Sequence, residues 1–228
     1  MTVQVNHLGQ PVGEQVPDWQ PRPVPPMTPL RGRTCSLIAL TADHLEDLWA
    51  AYADTEDTHW TYLRAERPGS VDDLRALLPQ RSAGYLTYAV IVNGGAQGML
   101  SLMRADAANG VIEVGWIALG SALKRTIAAT EAQRLVMGHV FDDLGYRRLE
   151  WKCDALNAPS RSAAERLGYR LEGVFRQHVV TKGRNRDTAW YAALDHEWPL
   201  LRARLDAWLA PTNFTPQGQQ CTRLGQTR

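Results

Sequence analysis

Four groups of residues in this chain have types and spacings suited to chemistry. Asn157 and Ser160 stand three positions apart in Cys153-Asp-Ala-Leu-Asn157-Ala-Pro-Ser160. An Asn before a helix caps it through its side-chain oxygen, and a hydroxyl on the first turn can hydrogen-bond or protonate a leaving group. Lys124-Arg125-Thr126-Ile127-Ala128-Ala129-Thr130 joins positive charge to small side chains at a strand-to-helix junction. Orphan backbone N–H groups and the helix dipole attract an anion such as a pyrophosphate to such a place. Glu113 alternates with Ile112 and Val114, so in a strand its carboxylate faces away from both. From there it can take a proton from an ammonium, directly or through water. His59, Trp60 and Tyr62 gather aromatic rings with polar tips in one loop, which suits a cleft wall. Each group also has a plainer structural role open to it: a helix cap, a helix start, a strand glutamate in an ion pair, a packed loop.

These residues need elements to position them. Leu37–Leu40 reads as a first strand, and Thr41 starts a helix with Leu45, Leu48, Trp49 and Tyr52 on one face. Ser70 caps a second helix reaching Leu78, with Pro79 as its stop. Tyr85–Val92, Gly98–Arg104 and Val111–Leu119 are strands joined by Asn93-Gly94-Gly95 and Asn109-Gly110 turns, an antiparallel meander. Residues 126–143 carry helical apolar spacing up to Gly145. Arg148–Asp154 is a strand and Ala158–Leu167 a helix ended by Gly168. Strands Leu171–Thr181 and Thr188–Leu194 flank a basic turn, 182–187, expected to be a solvated tip, and Pro199–Leu209 is a last helix. This order predicts an α/β (α+β) fold: a mixed, mostly antiparallel central sheet with helices on both faces.

The 228 residues suffice for one sizeable domain with arms. We expect a Pro-rich arm over 1–32, the main domain over 33–197, a helix over 198–210 and a disordered tail over 211–228. The arm is extended, and either hangs loose or is laid on the domain by Trp19 and Val24. A net charge of +1 recruits neither nucleic acid nor anionic membrane. Cys35, Cys153 and Cys221 fit no pairing or metal pattern, which suits a reducing cytoplasm. No signal peptide is visible at Met1, and no run nears the ~20 apolar residues of a membrane span.

Two strand-to-helix units in this order, the second with its Asn-x-x-Ser turn, resemble the acyl-CoA-binding half of the GNAT N-acyltransferases. The likeness runs over about 33–197 and is nearest the branch that acetylates ribosomal-protein alanine. It implies acetyl-CoA as donor and co-substrate, a primary amine as acceptor, and no metal, nucleic acid or membrane partner; a homodimer stays open. By the same resemblance, donor contacts come from the backbone of Ile117, Ala118 and Leu119, from Lys124, Arg125, Thr126, Ile127, Ala128, Ala129 and Thr130, and from Asn157. Ser160 would assist the departing thiolate, Glu113 or water would accept the proton, and His59, Trp60 and Tyr62 would wall the acceptor pocket. Ile127 stands where the family's phosphate loop has its central Gly. Either the chain is already helical there, with Ile127 turned inward, or phosphate binding is weakened. A catalytically inactive acyl-CoA-binding or sensing module is the alternative, and an interaction domain using the Pro-rich arm a third.

Overall fold

A computed structural model describes residues 3–78 and 84–224. Pro79 and the last four residues of the expected tail lie outside them. One eight-stranded sheet organises the molecule. Its strands are β3 (Leu30–Arg31), β4 (Ser36–Ala39), β5 (Tyr85–Val92), β6 (Gly95–Asp106), β7 (Val111–Leu119), β8 (Arg148–Asp154), β9 (Arg170–Thr181) and β10 (Arg184–Leu194). They lie in the order β3-β4-β5-β6-β7-β8-β10-β9. The β7–β8 pair is parallel and every other neighbouring pair antiparallel. Hairpin turns explain most of this: Asn93 and Gly94 take φ of 51° and 87°, which a tight β5–β6 turn requires. Crossing from β7 to β8 in parallel needs a helix instead.

Among the described residues five helices cover the two faces: α1 (Leu45–Ala53), α2 (Val71–Leu77), α3 (Ile127–Gly138), α4 (Ala158–Leu167) and α5 (Trp198–Leu209). On one side Leu45, Leu48 and Tyr52 of α1 and Leu74 of α2 pack with Ala89, Met99 and Ala118. On the other, Val136 and Met137 of α3 and Leu205 of α5 pack with Leu100, Val114 and Leu149. Each such side chain, once buried, contributes about 1.5–3 kcal/mol of transfer free energy. The long helical stretch is α only to Gly138; residues His139–Asp143 widen into a π-turn. Ser70 caps α2 by accepting from Asp73 N–H, as its position in the sequence leads one to expect. Gly168 ends α4 at φ 105°, and a Cβ there would stand 2.4 Å from Leu201. Only glycine meets both demands.

Part of each terminal segment lies against the domain. In the N-terminal arm Trp19 donates to Ala108 O at 2.8 Å and lies between the guanidiniums of Arg22 and Arg147. Val24, by contrast, is 79% exposed, and Pro25 turns inward in its place. A short hairpin of β1 (Gln4–Val5) and β2 (Pro11–Val12) precedes it. Residues 211–224 are not the expected disordered tail. Asn213 bonds Trp208 O and Thr222 O, Trp208 bonds Gln220, and Leu224 is buried in the main core. Three residues, Phe214, Asn213 and Leu224, anchor a segment whose average composition is polar. No helix among the described residues is long and apolar enough to cross a membrane.

Candidate active site

The parallel pairing of β7 and β8 runs only from Val111↔Arg148 to Val114↔Trp151. Beyond it β7 stays with β6, and β8 stays with β10, so the two strands part. A bulge helps: Ser101 pairs with Gly115 but Met99 pairs with Ala118, and Trp116 takes φ 50°. The extra residue turns the β7 backbone at the point of parting. The opening is a cleft of about 1750 Å³. Gly115, Trp116, Ile117 and Leu119 line one wall, and Lys152, Cys153 and Asp154 the other. Ligands in open α/β sheets sit at such carboxyl ends of strands.

Both helix starts open onto this cleft. Thr126 caps α3, its hydroxyl accepting from Ala129 N–H at 3.2 Å. Geometry leaves the N–H groups of Ile127 and Ala128 without an intrahelical carbonyl. No acidic residue stands in the first turn of α3 or α4. Lys124, Arg125, Ile127, Ala129 and Thr130 line the cleft here. Ile127 is the first helical residue and packs on the core, so the inward-turned alternative is the one adopted. Arg125, not position 127, takes the left-handed φ of 61°. Burial holds the Lys124 ammonium below its usual value, a fitting state for a cation awaiting an anion. These features fit the pyrophosphate of an acyl-CoA.

Asn157 caps α4, its Oδ1 accepting from Ser160 N–H at 3.1 Å. The Ser160 hydroxyl accepts from the Trp151 indole N–H at 3.0 Å. That bond occupies an oxygen lone pair and leaves the hydroxyl proton to donate. Cys153 beside it is a buried thiol, raised above its ordinary value by desolvation and therefore poorly ionised.

Glu113 is 2% exposed and lines the cleft. Its Oε2 lies 2.6 Å from Arg104 and 2.9 Å from Lys152. Lys152 also pairs with Glu150 at 2.7 Å, Glu150 with Arg148 at 2.8 Å, and Arg148 with Glu172 at 2.8 Å. Alternation along β7 and β8 puts this row of charges on one face. The Lys152 ammonium sits 3.7 Å from the centre of the Trp190 ring.

Of the aromatic loop residues, His59 and Tyr62 line the cleft. Trp60 does not. It is 2% exposed in the α1–α2 core, its indole N–H bonded to Thr55 Oγ1 at 3.2 Å. A large ring next to an apolar helix face is drawn into the core, and its one donor finds a buried hydroxyl. Ala118, Thr126 and Ala128 likewise stand behind the lining: Ala118 is fully buried with its carbonyl taken by Tyr52, and Ala128 is 6% exposed. Burial and the positive Lys124 push the His59 imidazole down to about 4, so it is neutral near pH 7. Its Nε2 is buried without a partner among the described residues.

Sequence reasoning overlooked several wall residues. Lys182 and Arg186 of the basic hairpin fold over the aromatic loop, donating to Trp60 O at 2.8 Å and to Tyr62 O at 3.4 Å. Arg64, Arg104 and Arg186 line this end, and Trp208, Phe214, Arg223 and Leu224 line the opposite one. Two-residue spacing of Arg184, Arg186 and Thr188 was a readable signal for a shared strand face.

Residues 36–170 match the family model described as Acetyltransferase (GNAT) domain. The chain is 30% identical over 146 residues to a Bacillus subtilis (strain 168) protein named "Putative ribosomal N-acetyltransferase YdaF", an alignment covering 61% of this chain and 78% of that one. A solved GCN5-related N-acetyltransferase from Brucella melitensis is 46% identical with a TM-score of 0.90, covering 93% of this chain and 99% of that one. A "probable acetyltransferases (GNAT family)" structure from Chromobacterium violaceum is 36% identical with a TM-score of 0.78, covering 83% of this chain and 98% of that one.

Proposed function

Since the chain belongs to the GNAT acetyltransferase family, we propose that it carries an acetyl group from acetyl-CoA to a primary amine of a small molecule or a protein N-terminus, by direct attack in a ternary complex. The observation that carries this reading is the parting of β7 from β8, with Ser160 on one lip and the Trp116 bulge on the other. The start of α3, with Lys124 and Arg125, holds the pyrophosphate. The pantetheine arm lies between the parted strands, and a backbone N–H near Ile117 meets the thioester oxygen. Ser160 donates to the thiolate as it leaves, the Trp151 bond fixing its rotor. Holding amine and thioester together supplies much of the rate.

The proton needs a separate account. The Glu113 carboxylate is already engaged by Arg104 and Lys152. We therefore assign the proton to water in the cleft, with Glu113 holding the two cations in place. The name of the Bacillus relative supports a ribosomal protein as one acceptor. Free thiols at Cys35, Cys153 and Cys221 accord with a cytoplasmic setting.

Calorimetry with acetyl-CoA, followed by thiol release over a panel of amines, tests the reading. Binding with turnover supports it. Binding without turnover on any amine overturns transfer, and absence of binding overturns the donor site as well.

A further inference from the structure

Among the cations that line the cleft, Arg104 and Lys152 are matched by Glu113. Lys124 and Arg125 at the start of α3, Arg166 and Arg223, and the pair Arg64 and Arg186 have no carboxylate at ion-pair distance among the described residues. Arg186, on β10, lines the cleft with its Nε buried and without a partner. Among the described residues its Nη1 reaches only the Tyr62 carbonyl, at a long 3.4 Å. Arg64, two residues after the Tyr62 whose carbonyl Arg186 reaches, lines the same cleft, and its charge opposes that of Arg186. Among the described residues neither guanidinium has a carboxylate within ion-pair distance. The acidic groups facing Arg186 are Asp154 and Glu113. Asp154 accepts from Leu156 N–H, and Glu113 is held by its own two cations. Desolvation already holds the Arg186 guanidinium below the ordinary arginine value.

Two neighbouring cations, one of them desolvated, repel each other. An anion placed there turns the repulsion into charge-assisted hydrogen bonds, and the planar guanidinium fork suits a carboxylate. The place matters too. Arg186 lies within electrostatic reach of Cys153, which lines the cleft with Ser160. An anion at Arg186 is thus beside the thioester end of the cleft and away from the pyrophosphate at α3.

We propose that Arg64 and Arg186 form an anion subsite for the acceptor, so that the amine substrate carries a carboxylate a few bonds from its nitrogen. A free amino acid has this chemistry, and so does a peptide with an acidic residue at its N-terminus. The proposal rests on the transfer reading above and narrows its acceptor class.

The test uses matched acceptors: an amino acid against its amide, and a peptide beginning with Asp against the same peptide beginning with Asn. Thiol release gives kcat/KM for each with wild type, Arg186→Gln and Arg64→Gln, and calorimetry gives acetyl-CoA affinity. Wild type should favour the carboxylate member of at least one pair by roughly 10- to 100-fold. Either substitution should collapse that preference towards unity with donor affinity unchanged. Whichever pair shows the preference tells the free amino acid from the acidic peptide. Arg64 is exposed, so its variant folds even if the Arg186 variant does not. Equal use of both members by wild type overturns the subsite, as does a preference that survives in Arg64→Gln, or variants that lose acetyl-CoA instead. If no amine is turned over, the carboxylate acceptors are titrated into protein saturated with CoA. Binding that Arg64→Gln abolishes then upholds the subsite while transfer fails, and no binding sinks the subsite itself.

Discussion

At the donor end of the cleft, Thr126 and Asn157 each close a helix start on an N–H three positions away. At the acceptor end, Lys182 and Arg186 reach carbonyls of Trp60 and Tyr62 across 122 and 124 positions of chain. The first end is made of backbone presented by local turns. The second is made of long cationic side chains that only the folded sheet brings together. On the proposed reading, a donor common to many reactions would be served by backbone donors, which tolerate changes of side chain. An acceptor peculiar to one enzyme would be met by charges that can be changed singly.

The comparison can be broken by substitution, and the largest effect belongs to the row of charges between the two ends. Glu113→Gln takes the carboxylate from Arg104 and leaves Lys152 with that of Glu150. Loss of a partner from a buried pair should lower stability by about 3 kcal/mol, read by denaturant unfolding. With Glu113 as anchor, the pH–rate profile per folded molecule should keep its shape. A profile that loses a titration in the variant would return the proton-accepting role to Glu113.

Ser160→Ala tests the lip shared by both ends. Turnover should fall by ~10²-fold or more with acetyl-CoA affinity nearly unchanged. The freed Trp151 indole should cost about 1 kcal/mol of stability. Normal kcat with a lower melting temperature would reduce Ser160 to a helix residue.

At the donor end, Ala129→Asp sets a negative charge on the cleft wall in the first turn of α3. Acetyl-CoA affinity should drop by about tenfold, through loss of the favourable helix-end field. Ala128→Asp, one position behind the lining, is expected to act through folding instead, so the pair of variants sharpens the assignment. Equal donor affinity in Ala129→Asp and wild type would detach the phosphate from α3.

The smallest effect is at His59. Its folded value, about 4, lies below the ordinary 6.5, so the unfolded chain binds a proton first as pH falls. Stability should be lost between pH 6.5 and 4, by roughly 1–2 kcal/mol once its partial exposure is allowed for. His59→Gln should flatten that limb of the melting-temperature curve. A curve identical to wild type would show that His59 is freely protonated.

What the sequence made legible follows the same division. Alternation and Asn-Gly turns mark β5, β7 and β8 to their observed bounds, and Asn-x-x-Ser places α4. These are short-range signals, fixed by neighbours in the chain. Trp60 was misplaced because its character suits a pocket and a core equally, and only α1 and Thr55 decide between them. The Trp116 bulge left no trace in residue type, since its cause is the differing register of β6 and β7. The Arg64–Arg186 neighbourhood was hidden for the reason that separates the two ends of the cleft: no local pattern encodes it.

The wall formed by Trp208, Phe214, Arg223 and Leu224 has a consequence for how the protein comes into being. These residues follow the family-matched segment 36–170 and are synthesised after the other walls of the cleft. A nascent chain that has released β3 to β10 can already assemble its sheet, yet one side of its substrate channel is still missing. Leu224 must then join a core that the rest of the chain has begun to pack. On the proposed reading, competence to hold a nucleotide thioester would thus be a late event in the life of each molecule, arriving when translation of this stretch is done and not when the sheet first forms.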